Sequence, residues 1–237
     1  MPILTRVFLN PLRPGAQKLL GSPQAMHAAV AGATGLYDDP GRSLWRLDAD
    51  LPHRPALLVL TQLEADFTHI VEQAGWPDVA AGKPQGRDYG GLLSRIEAGQ
   101  RYQFRVTANP VHSVPRGPGA GDAEGGGGGP SGPTLARGKV LGHRTPVHQS
   151  RWFLERAGRW GFEVPRTGVG GEPDIRIVRT ERLSFGKDKG ARRVTLQTAT
   201  FEGLLTVTEP TLFVDALTVG VGRARAYGCG LLTLAAE

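Results

Sequence analysis

Residues 125–129 are five consecutive glycines, set in a stretch from 116 to 133 that also holds several prolines. Such a run has no side chains to bury, and ordering its backbone costs more entropy than any contact there could offset. It therefore interrupts whatever core the chain builds. At 237 residues the chain is long enough for one large domain or two small ones. The glycine run favours two, with expected bounds of 1–112 and 137–237 and a flexible insertion or linker over 113–136.

The first of these stretches reads as β-α-β-β-α-β. Residues 3–9 are apolar and β-prone, and Asn10-Pro11 stops them. Ser22 followed by Pro23 reads as an N-cap with proline at the first helical position, opening an alanine-rich helix over 23–33. Strands are expected over 43–47 and 55–63, and short helices over 65–73 and 91–98. Residues 101–107 then alternate cleanly, Tyr102, Phe104 and Val106 on one face and Arg101, Gln103 and Arg105 on the other. This order is the split βαβ arrangement, which RNA-recognition modules share.

The second stretch repeats the scheme. A strand is expected over 139–142, a helix over 145–160, two strands over 175–185 and 193–207, a helix over 210–219 and a last strand over 231–235. The fold class is thus α+β, as two tandem ferredoxin-like (RRM-like) βαββαβ domains.

Charge separates the two stretches. The formal net charge is +6 overall. Residues 1–110 carry 11 Lys+Arg against 10 Asp+Glu, whereas residues 111–237 carry 17 against 12. A basic second half suits a polyanion such as nucleic acid. Cys229 is the only cysteine, so no intrachain disulfide can form, and its two glycine neighbours suggest a buried, neutral thiol. No run approaches the ~18 apolar residues of a membrane span, and Arg6 and Pro11 stand where a signal peptide needs apolar residues. The chain is expected to be soluble and cytoplasmic, without membrane contact.

Three features can carry chemistry. His27 lies among small and apolar neighbours in the first helix, where an imidazole can take a proton from one oxygen and return it to another. A lone helical histidine can equally be a packing residue. A second feature is the hairpin over 176–193, which places Arg176, Arg179, Arg182, Lys187, Lys189, Arg192 and Arg193 against only Glu181 and Asp188. On a two-stranded ribbon that excess can clamp a nucleic-acid stem by its phosphates. The third is the glycine loop of residues 220–230, in which Gly220, Gly222, Gly228 and Gly230 enclose Arg223 and Arg225. It suits close approach to an anionic polymer, or else it is a helix cap and a turn into an edge strand.

Other chemistries lack their residues. His53, His69, His112, His143 and His148 show no metal-ligand spacing. No paired acidic cluster suggests a two-metal nuclease, the glycine loop lacks the Walker order, and no metal or cofactor is expected. For RNA, whose 2′-OH is a built-in nucleophile, one base and some cationic stabilisation suffice.

Six short segments in order resemble the CRISPR-associated CasE family over nearly the whole chain. They are the opening strand ending in Asn10-Pro11, the Pro23-Gln24-Ala25-Met26-His27 helix start, Leu44-Trp45-Arg46-Leu47, the segment 104–110, the segment 201–207 and the glycine loop. The resemblance implies two ferredoxin-like domains that bind the CRISPR repeat RNA hairpin and cut pre-crRNA at the 3′ side of the stem, without metal, leaving a 2′,3′-cyclic phosphate. It also implies retention on the crRNA beside other Cascade subunits, with the protein monomeric on its own. His27 maps onto the family's helix histidine, residues 182–193 onto its basic hairpin, and Arg225 onto a basic residue of its loop, with Arg223 an added charge. Some members have a tyrosine where this chain has Gln24, which cannot transfer a proton, so either that role is dispensable or another donor such as Tyr37 or Arg225 fills in. The alternative is a catalytically weak or inactive subunit that only holds the hairpin. A small-molecule enzyme on the same scaffold fits neither the charge distribution nor the residues present.

Overall fold

A computed structural model describes residues 1–34, 43–114, 139–167, 170–186 and 193–237. The chain runs β1 (Ile3–Phe8), α1 (Pro14–Gly21), α2 (Pro23–Ala33), β2 (Leu44–Asp48), β3 (Ala56–Thr61), α3 (Thr68–Ala74) and β4 (Gln85–Asp88). These strands form one antiparallel sheet in the order β2-β3-β1-β4. That is the ferredoxin-like order, with α1 inserted before the first crossover helix. Val7, Leu57 and Val59 from the strands pack with Met26, Val30 and Ile70 from the helices as the core of this unit.

After a single helical turn, α4 (Gly90–Leu93), come β5 (Arg101–Ala108), β6 (Val111–Val114), β7 (Lys139–Gly142), α5 (Pro146–Ala157) and β8 (Phe162–Glu163). The chain ends with β9 (Ile175–Phe185), β10 (Val194–Val207), α6 (Pro210–Val219) and β11 (Leu232–Ala236). The second sheet is ordered β11-β5-β10, with β8 and β9 pairing successive parts of the outer edge of β10. A register shift at Thr200/Phe201 marks a bulge in the β9–β10 ribbon, and bulges sharpen strand twist.

Two expectations change here. Residues 101–107 were expected to close the first unit; β5 instead pairs along its length with β10 and β11 as the first strand of the second. The reason is its apolar face, since Phe104 stacks on Phe153 at 5.4 Å and Phe153 stacks on Phe201 at 4.8 Å. The first sheet is completed by β4, four exposed residues held to β1 by backbone pairing. Sheet membership therefore changes between Asp88 and Arg101, not near residue 113. Likewise β7 does not open the second sheet: it pairs with β6 in a separate ribbon. The glycine run falls between β6 and β7 in sequence and lies outside the described residues.

The two units share a seam. Leu44 and Leu60 of the first sheet belong to the core of the second unit. Arg46, only 2% exposed, donates through Nη1 to the carbonyl oxygens of Arg105 (2.7 Å) and Leu231 (3.0 Å). Its remaining donors form a two-pronged pair with Asp48, at 2.7 and 2.9 Å. Arg105 in turn pairs with Asp50 and, at 3.1 Å, with Glu202. The Arg105 guanidinium holds the Asp50 carboxyl below the usual carboxylate range.

Candidate nucleic-acid interface

The start of α2 is fixed locally. Ser22 Oγ accepts from the Ala25 amide at 3.2 Å, and Pro23 presets the first turn. Met26, Val30 and Ala33 then face the core, which leaves half-buried His27 turned toward the second unit. It meets Tyr227 edge-on, with ring centroids 6.4 Å apart and planes at 65°. Phe185, the last residue of β9, packs on the same tyrosine at 4.8 Å. Helix α2, the end of the basic ribbon and the glycine loop thus converge on one aromatic ring. A cleft of about 120 Å³ opens there, lined by Met26, Trp45, Arg179, Glu181 and Tyr227 among others. Gln24 sits three residues before His27, on the same helix face.

The ribbon arginines divide into two groups. Arg176 is paired with Glu202 at 2.8 Å and Arg179 with Glu181 at 2.7 Å. Arg193 donates to Ser184 Oγ at 3.2 Å and to the Ser184 carbonyl at 3.3 Å. Arg182 is exposed and makes no ion pair among the described residues. Lys187, Lys189 and Arg192 lie outside the described residues, as does Tyr37.

The glycine loop is shaped by packing as well as by charge. A Cβ at Gly220, where φ is +86°, would meet the Leu44 side chain at 2.7 Å. At Gly228, with φ +80°, it would strike the Trp45 ring at 2.7 Å. Gly222 and Gly230 also have positive φ, and Gly230 is buried. Arg225 folds back on its own loop, donating to the carbonyls of Val219 (2.7 Å) and Gly222 (3.2 Å) and so capping the end of α6. Arg223 alone of the two loop arginines is exposed. Cys229 is buried, and burial pushes its thiol up to about 12, which keeps it neutral.

On the far side of Tyr227 lies a larger open groove of about 770 Å³, walled by the β6–β7 ribbon, β10 and the glycine loop. Arg144, Arg182 and Arg223 line it, and among the described residues no acidic side chain does. At its rim His112 lies 4.6 Å from His143, whose ring is 5.9 Å from His148. Partial burial, followed by the neighbouring His112, His148 and Arg156, holds the His143 imidazole below its ordinary value. Among the described residues no group of three or more His, Cys, Asp or Glu side chains is arranged to hold a metal ion. Nor is any described helix long and apolar enough to cross a membrane.

The structure brings together His27, Arg179, Arg182, Arg223 and Arg225 around the seam. Sequence reasoning missed Tyr227, whose neighbour His27 is two hundred residues away, and Arg144, which stands outside both basic runs.

The profile of a family described as CRISPR associated protein matches residues 3–236. The chain belongs to that family. It is 28% identical over 242 residues to the CRISPR-associated endoribonuclease Cse3 of Thermus thermophilus, covering 98% of this chain and 99% of that one. A solved structure of Thermus thermophilus Cse3 bound to an RNA representing a pre-cleavage complex superposes with a TM-score of 0.71 at 27% identity, over 99% and 98% of the two chains. Cas6e from Escherichia coli K-12 shares the fold, with a TM-score of 0.60 at 18% identity over the full length of both chains. Relatives of this family have the same double ferredoxin-like architecture.

Proposed function

We propose that the protein is an endoribonuclease that binds the CRISPR repeat hairpin and cuts pre-crRNA at the 3′ side of the stem. The observation that carries this reading is the placement of His27 at the seam, against Tyr227, between the basic ribbon and the exposed Arg182 and Arg223. The family membership and the RNA-bound relative support it.

In the proposed reaction the 2′-OH of the nucleotide before the cut attacks the adjacent phosphorus. His27 accepts the hydroxyl proton as the O2′–P bond forms. The P–O5′ bond breaks, and the departing 5′-oxygen takes up a proton, giving a 2′,3′-cyclic phosphate and a 5′-hydroxyl. Gln24 has no proton to give and Arg225 is committed to backbone carbonyls. The Tyr227 phenol, beside His27, is the proposed donor to the leaving oxygen. Arg182, Arg193 and Arg223 are assigned to the RNA phosphates, with Lys187, Lys189 and Arg192 of the same hairpin. No step requires a metal. The product is proposed to stay bound, as a subunit of a Cascade assembly.

The test is cleavage of an end-labelled repeat hairpin in excess EDTA, with the new 3′ end treated by acid and then phosphatase. A cyclic phosphate that opens under acid supports the reaction; a free 3′-hydroxyl, or dependence on added magnesium, contradicts it.

A further inference from the structure

The groove beyond Tyr227 is larger than phosphate contacts alone require. Its volume of about 770 Å³ falls within the ~300–1,000 Å³ of sites that hold a small ligand. Its lining is also mixed in a particular way. Arg144, Arg182 and Arg223 offer charge with no ion pair among the described residues, whereas Gln197 and Asn109 offer amides and Val111 offers an apolar patch. Asn109 is 6% exposed, and its Oδ1 has no hydrogen-bond partner among the described residues. A buried acceptor without a donor is destabilising, and the amino group of a seated base is a donor that would satisfy it.

Position and chemistry then favour one occupant. Tyr227 forms a wall of both the cleft beside His27 and this groove. A strand whose linkage lies at His27, itself against Tyr227, has a neighbouring nucleotide within reach of this groove. Paired bases in an A-form stem keep their major-groove edges in a deep, narrow groove that side chains cannot read. Unpaired bases instead stack on aromatic or guanidinium planes and bond through their edges. The groove has both kinds of partner, in Tyr227 and His112 and in its arginines and amides. We infer that it is a subsite for the unpaired nucleotide immediately beyond the cleaved linkage, with Gln197 and Asn109 reading the base and Arg144 holding its phosphate. This inference rests on the cleavage assigned above.

The experiment uses the full-length protein and two repeat hairpins blocked by a 2′-deoxy sugar at the cut, one ending there and one extended by three unpaired nucleotides. Wild type is expected to bind the extended RNA on the order of tenfold more tightly. Arg144→Ala with Gln197→Ala should lose that gain while binding the short hairpin like wild type, which also controls for folding. An equal affinity of wild type for both RNAs would overturn the subsite, as would a gain that survives the substitutions. Equal loss on both RNAs would place the stem, not the flank, in the groove and overturn it too. Failure of the underlying reading looks different: the unblocked hairpin would then be neither bound nor cut.

Discussion

The two ferredoxin-like units follow the same path and do different work. In the first, the paired strands β2 and β3 are 5 and 6 residues long and serve mainly to hold helices. In the second, the corresponding β9 and β10 are 11 and 14 residues long, so the ribbon projects past its core and carries cations with it. In the proposed reaction the near-neutral unit presents the His27 ring at the seam and the basic unit supplies the grip. Topology sets where the two surfaces meet, and strand length and charge decide what each contributes.

If the seam is what joins the two roles, removing its buried arginine should do the most damage. Arg46→Ala leaves Asp48 with only the more distant Arg105, at 3.9 Å, and strips a donor from two carbonyls across the interface. Breaking a buried pair in this way typically costs ~3–5 kcal/mol, measurable by urea unfolding. A loss under about 1 kcal/mol would mean that apolar packing and the Arg105–Asp50 pair hold the units together without Arg46.

Within the basic unit, the ribbon arginines should prove unequal. Arg182→Ala should lower the salt slope of hairpin binding by ~0.7–0.9, the value of one phosphate contact. Arg179→Ala should lower it less, because Glu181 already offsets that charge. Identical slopes for the two variants would remove the distinction.

A smaller effect concerns the histidine rim, where His143 faces His112, His148, Arg156 and Glu155. Its folded imidazole sits below the ordinary value, so the unfolded chain binds more protons as pH falls through the histidine range. Stability contributed at neutral pH is lost there. Bound RNA phosphate acts the other way, drawing protons onto the ring. Hairpin affinity should therefore rise as pH falls through that range, and His143→Asn with His112→Asn and His148→Asn should flatten the rise. An unchanged pH profile in the triple variant would exclude the rim from binding.

Local signals made much of this legible. Pro23 after Ser22 marks α2, and the alternation of residues 101–107 marks β5. Which sheet β5 joins was not legible, because the choice depends on Phe153 and Phe201 meeting Phe104 across the fold. Strand β4 escaped for the opposite reason: Gln85-Gly86-Arg87-Asp88 has no apolar face, and backbone pairing alone defines it. At the site, His27 stood out as an isolated imidazole. Arg225 read as a free charge, and only the folded loop reveals its capping of α6.

The division between a cutting unit and a gripping unit meets its most direct test in His27→Ala, by measuring hairpin affinity and single-turnover cleavage on the same preparation. The account predicts wild-type affinity with the rate down by ~10²–10⁴. An unchanged rate, or a loss of binding equal to the loss of rate, would contradict it.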